Sequence, residues 1–143
     1  MKFRLACLLF SLATAASAQV RTPQEVHQAV RAAGGAEPFL KEMVRQTANA
    51  LPIRPNQNVE ITSVVGLGKR IRYQSRLLLV ESKASVHDMN ALKSSNINYA
   101  ACSSLIMSVM IKEYGAALTY VVLARNSEYL FEYELNSETC KGR

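Results

Sequence analysis

Two cysteines, Cys102 and Cys140, constrain what this chain can fold into more than any other feature. The chain carries three cysteines, and the third, Cys7, lies within a stretch with the layout of a secretory leader. Lys2 and Arg4 supply a positive start and Leu5 to Ala13 an apolar run. Ala16-Ser17-Ala18 supplies a small-x-small cleavage site before Gln19. The apolar run falls short of the roughly 20 residues that a membrane-spanning helix needs. Cys7 sits near the start of that run and not at its end after small residues, so the layout argues against a lipid-modified cysteine. The expected organisation is a signal peptide over residues 1–18 and a single domain over 19–143, periplasmic or secreted after cleavage near Ala18 and not transmembrane. In such an oxidising compartment a lone pair of cysteines is normally a structural disulfide. A Cys102–Cys140 bridge would close a long loop and stabilise the fold by up to about 4 kcal/mol.

Between the two cysteines the pattern is compact. Ser103 or Ser104 can cap a helix over Leu105 to Tyr114, and Gly115 can take the left-handed conformation that ends it. Leu118 to Ala124 and Tyr129 to Leu135 then alternate as two strands around a turn at Arg125-Asn126-Ser127.

Upstream, Thr22-Pro23-Gln24-Glu25 reads as a capping box with proline at the first helical position, and Gly34-Gly35 stops that helix. A second helix places Phe39, Leu40, Met43, Val44, Thr47 and Leu51 along one side. The prolines in Leu51-Pro52-Ile53-Arg54-Pro55-Asn56 predict a connecting loop. Val59 to Val65 and Arg70 to Val80 read as a hairpin around Gly66-Leu67-Gly68-Lys69. Val59, Ile61, Ser63 and Val65 are expected on one face. In the second strand Ile71, Tyr73, Ser75, Leu77 and Leu79 share one face and Arg70, Arg72, Gln74 and Arg76 the other. The apolar run Leu77 to Val80 is expected to be covered on both sides. Ser85-Val86-His87-Asp88 has the form of a weaker capping box for a short helix. The sum is an α+β domain: a small antiparallel sheet of about four strands, in two hairpins, packed against helices and held by one disulfide.

The chemistry-bearing residues are sparse. His27 and His87 lack a second ligand at metal spacing, so no metal site and no cofactor are expected. Cys102 at a helix start could have a depressed thiol pKa, but pairing with Cys140 is favoured over a reactive thiol. No G-x-S-x-G elbow occurs, and Gly66-Leu67-Gly68-Lys69 lacks P-loop spacing. Glu132 and Glu134 alternate on a strand face that reads as solvated and not as a glycosidase pair. No catalytic residue is assigned. Lys69, Arg70, Arg72 and Arg76 form the one surface feature that could bind a partner. Its alternative is an ordinary solvated face whose arginines pair with Glu132 and Glu134. The formal charge of +6 includes Lys2 and Arg4 of the leader, and the mild excess left after cleavage argues against nucleic-acid binding.

The C-terminal layout resembles a loose group of small, exported, mostly uncharacterised proteobacterial proteins. They carry a cysteine before a short helix, a glycine, a tyrosine-containing strand, a polar turn and a final cysteine. The matching residues are Tyr73, Leu77, Cys102, Gly115, Tyr120 and Cys140, over roughly the last two-thirds of the mature chain. Glu128 and Tyr129 depart from the pattern, which often has a glycine after the turn. The resemblance implies a disulfide-stapled periplasmic domain and carries over no catalytic residue. The expected function is binding of a protein partner in the cell envelope, as a secretion or assembly accessory factor or as an inhibitor or immunity protein. Alternatives are a small-ligand or lipid binder and, further off, a hydrolase or thiol enzyme using Cys102. An anionic lipid or cell-wall polymer is a further candidate for the basic strand.

Overall fold

The computed structural model describes residues 21–143; the leader expected at residues 1–18, with Cys7, lies outside the described residues. Helix α1 (Pro23–Ala32) begins at the expected capping box, in which Thr22 accepts from the Glu25 backbone and Glu25 accepts from the Thr22 backbone at 3.0 Å. Gly34 and Gly35 both take positive φ, ending α1 and turning the chain into α2 (Ala36–Asn49). Val26, Val30 and Leu40 bury the inner sides of this pair.

The segment expected to be a loop instead supplies the first strand, β1 (Ile53–Asn56). It pairs antiparallel with β2 (Val59–Leu67) through Ile53↔Ile61 and Asn56↔Val59. Pro55 is tolerated because β1 is an edge strand and needs no hydrogen-bond partner on its outer side. The sheet therefore has five strands, in the order β1-β2-β3-β4-β5.

A bulge in β2 corrects a second expectation. Ile61 lies opposite Ser75 of β3 (Arg70–Leu77), but Ser63 lies opposite Gln74, so Thr62 is an extra residue. The insertion flips the alternation. Val64 turns into the core, while Val65, expected on one face with Val59 and Ile61, is 59% exposed. The apolar run after β3 is not covered on both sides either. The strand stops at Leu77, Val80 N–H turns back to the Leu77 carbonyl, and Leu79 is 75% exposed.

A short 3-10 turn (Lys83–Ser85) then leads to α3 (Met89–Asn96). Asp88 caps α3 by accepting from Ala91 N–H at 3.0 Å. Ser85, the expected cap, is used upstream: its hydroxyl donates to the Ser82 carbonyl at 2.7 Å. After α4 (Ala100–Ser103), Ser104 caps α5 (Leu105–Tyr114), and Gly115 closes it at φ 71°. The chain finishes with β4 (Ala117–Leu123) and β5 (Tyr129–Leu135), an antiparallel hairpin as expected.

β3 and β4 pair in parallel, from Arg70↔Ala117 to Arg76↔Leu123. The sheet is thus mixed and not wholly antiparallel. Parallel neighbours need a long crossover, and the chain between β3 and β4, with α3, α4 and α5, supplies it. The main core joins α1, α2 and α5 to Val64, Ile71, Leu118 and Leu135 on one sheet face. A second cluster packs Val86, Met89 and Leu92 against Leu77, Val122 and Phe131 at the far end of that face. The Cys102–Cys140 disulfide, spanning 38 residues, joins α4 to the turn after β5, with both cysteines buried. No helix among the described residues is long and apolar enough to cross a membrane.

Candidate functional site

The sheet presents two chemically different faces, because alternate residues of each strand point to opposite sides. Arg70, Arg72, Gln74 and Arg76 project away from the side that holds the hydrophobic core, as the alternation predicts. Each of the three arginines meets a carboxylate. Arg70 lies 3.5 Å from Glu134, Arg72 3.5 Å from Glu132 and Arg76 3.5 Å from Glu60. The first two pairs bridge over β4 to β5 and are solvent-facing. The face is therefore a mosaic of both signs and not a continuous cationic strip. Lys69 stands beside it in the exposed β2–β3 turn.

Glu60 was hidden in the sequence by its apolar neighbours. The bulge leaves it on this same face, where its side chain is only 11% exposed. Arg54 of β1 donates to it at 3.0 Å through Nε, and Arg76 approaches from β3. Arg76 also donates to the Ser127 hydroxyl at 3.2 Å, but its buried Nε has no hydrogen-bond partner. A buried carboxylate between two guanidinium groups ties three strands together at the edge of the face.

The opposite face carries three tyrosines in one row. The register puts Tyr73 of β3, Tyr120 of β4 and Tyr133 of β5 side by side. Their rings stack with centroids 5.1 Å and 4.9 Å apart and planes within 14°. Burial, reinforced by Tyr73 and Tyr133 on either side, pushes the Tyr120 hydroxyl pKa well above the ordinary tyrosine value. Burial likewise raises Tyr73 and Tyr133, the latter against the opposing pull of a hydrogen bond from Asn98 N–H at 3.3 Å. Beside this row a cleft of 380 Å³ opens between the sheet and the segment from Ser95 to Tyr99 that joins α3 to α4. Ile61, Ser75, Leu77, Tyr120 and Tyr133 line it from the sheet. Sequence alternation signals that each tyrosine faces inward, but only the parallel β3–β4 pairing brings them together.

The remaining singled-out residues have structural partners. Glu113 lies 3.0 Å from His27 Nε2, and the Tyr114 hydroxyl is hydrogen-bonded to Nδ1 at 2.7 Å. His27 thus clasps α1 to the end of α5. His87 lies in the segment before α3, beside Val86 and Asp88. Among the described residues, no group of three or more His, Cys, Asp or Glu side chains is placed to hold a metal ion. The hairpin turn is shorter than the expected Gly66-Leu67-Gly68-Lys69: Gly66 and Leu67 belong to β2, opposite Ile71 and Arg70, and Gly68-Lys69 makes the turn to β3.

No protein-family model matches the chain, and no curated protein matches it. Solved structures do match its fold. The pilotin EpsS of the Vibrio vulnificus type 2 secretion system superposes with a TM-score of 0.60 at 9% sequence identity, covering 82% of this chain and 99% of that one. The type II secretion system pilotin AspS of Vibrio cholerae gives 0.56 at 10% identity, covering 80% and 97%. A candidate secreted protein of Pseudomonas aeruginosa gives 0.55 at 12% identity, covering 74% and 93%. This chain therefore shares its fold, over nearly the whole of those domains, with two type II secretion pilotins and a protein described as secreted.

Proposed function

We propose that this chain is an exported accessory protein of an envelope secretion apparatus, acting by binding a protein partner and not by catalysis. The observation that carries the reading is the fold shared with two type II secretion pilotins along 99% and 97% of their lengths. The leader layout and the disulfide-closed domain agree with work outside the cytoplasm. The partner surface we assign is the outer sheet face with Lys69, Arg70, Arg72 and Arg76. Its paired charges would be exchanged for a partner's own charges, which favours specificity more than raw affinity.

The test is affinity capture of the tagged mature protein from crosslinked envelopes of its own bacterium, with a deletion strain assayed for secretion. Repeated recovery of a secretion-system component, together with loss of secreted proteins on deletion, is expected. Recovery of none, with secretion intact, overturns the reading. Arg70→Glu combined with Arg72→Glu should abolish the capture while leaving the fold unchanged, since both side chains are more than half exposed. Unaltered capture by a folded double variant would remove this face from the proposal.

A further inference from the structure

The cleft beside the tyrosine row is lined by fourteen residues, and none of them is charged. In a chain with 20% charged residues, whose outer sheet face is covered with them, this is a distinct chemical environment. Its walls are apolar at Val59, Ile61, Leu77 and Val122, and its polar groups are tyrosine, serine and asparagine. A volume of 380 Å³ lies within the range of small-molecule sites.

Asn96 spends its NH₂ on the Leu92 carbonyl and keeps its oxygen as an acceptor, but several other polar groups are left to donate. Among the described residues the Tyr120 hydroxyl has no hydrogen-bond partner, so its O–H is unused. The Tyr133 oxygen accepts from Asn98 N–H, which leaves its own proton free. The Asn56 and Asn98 side-chain oxygens already accept from the Asn58 and Ala100 backbone N–H groups, at 2.8 Å and 2.9 Å, which leaves their NH₂ groups as donors. Ser75 has only a long contact of 3.5 Å to the Val121 carbonyl. A charged ligand would lose its hydration here and find no countercharge. A neutral ligand with an apolar body and a carbonyl-type acceptor would satisfy both walls and donors.

We propose that this cleft is a binding site for an uncharged small molecule with an apolar body and an amide or ester oxygen, recognised by donors at Tyr120, Tyr133 and Asn98. The site lies on the opposite side of the sheet from the arginine face, so its occupancy is independent of the partner proposed there.

Three seven-carbon probes test it on the purified mature protein: heptanamide, its isostere heptanoate, and heptylammonium. They share one chain length and differ in charge. Heptanamide should saturably shift the backbone amide resonances of Ser75, Asn98 and Tyr133, with the two ions at least tenfold weaker. Tyr120→Phe removes a hydroxyl that has no internal partner and should weaken heptanamide about fivefold, the effect of one hydrogen bond. Val59→Phe, which fills the mouth of the cleft, should abolish the shifts. Absence of saturable binding, equal binding of an ion, or shifts that persist in a folded Val59→Phe variant each overturn the proposal. If Val59→Phe does not fold, the probe series and Tyr120→Phe decide it. A cleft that takes up a secretion component in place of heptanamide, with the component protecting the same amides, also overturns it.

Discussion

Gly66 of β2 lies so close to Val44 of α2 that a β-carbon on the glycine would come within 2.9 Å of Val44 Cγ2. The bulge at Thr62 creates this relationship, because it turns Gly66 toward the core side of the sheet, where the helix packs. Gly66→Ala should therefore destabilise the domain by about 1–2 kcal/mol, since overpacking outweighs the gain from replacing glycine in a strand. Val44→Ala should relieve the clash. Urea unfolding of the two single variants and the double variant should give a coupling of about 0.5–2 kcal/mol in favour of the pair. Additive effects would mean that the helix shifts freely over the strand.

The Cys102–Cys140 bridge is the second point at which one change should have a large effect. It closes 38 residues that include α5 and the whole β4–β5 hairpin. Cys102→Ala with Cys140→Ala should lower stability by about 2–4 kcal/mol, with the lost loop closure dominating because alanine leaves little polar mismatch in a buried site. Urea midpoints of the oxidised protein, the reduced protein and the double variant measure this. Mass spectrometry of the non-reduced protein should show no free thiol at either position.

Glu60 should be a more sensitive residue than its exposed neighbours. Glu60→Ala removes the carboxylate facing both Arg54 and Arg76 and leaves Arg76, whose Nε already lacks a partner, with only Ser127. A loss of about 1–3 kcal/mol is expected, because an uncompensated, partly buried guanidinium remains. Arg54→Ala should cost less than about 1 kcal/mol, because that side chain is 64% exposed. Equal effects of the two variants would show that the cluster behaves as an ordinary surface pair.

What could be read from the sequence follows the range of the forces involved. Local chemistry was legible: the Thr22 capping box, the Ser104 cap, the Gly115 stop and the β4–β5 hairpin each depend on residues within a few positions. Two further features depend on which strands meet. One extra residue at Thr62 moves Val65 outward and Val64 and Gly66 inward, and no propensity marks that position. Pro52 and Pro55 argue against a strand, yet an edge strand with one bonded side accommodates Pro55 in β1. At the candidate sites the arginines and their possible partners Glu132 and Glu134 were legible from alternation. Glu60, the tyrosine row and the cleft were not: the Glu60 cluster joins β1, β2 and β3, the row needs the parallel β3–β4 pair and β5, and the cleft is lined from all of these strands.

The tyrosine row predicts how stability responds to alkali. Burial raises the hydroxyl pKa values of Tyr73, Tyr120 and Tyr133 above the ordinary tyrosine value in the folded protein, most strongly for Tyr120. The unfolded chain releases these protons near pH 10 while the folded chain keeps them, so above that pH the unfolded state binds fewer protons. The stabilisation is complete below pH 10 and falls as pH rises through the raised folded values. The slope is at most about 1.4 kcal/mol per pH unit for each tyrosine. Urea midpoints between pH 9 and about 12 should decline, and Tyr120→Phe should flatten the decline by up to one proton's worth, since phenylalanine has no proton to lose in either state. Tyrosinate absorbance of the folded protein should show the row ionising above the ordinary tyrosine range. A Tyr120→Phe variant with an unchanged alkaline slope would mean that the central ring does not carry the effect.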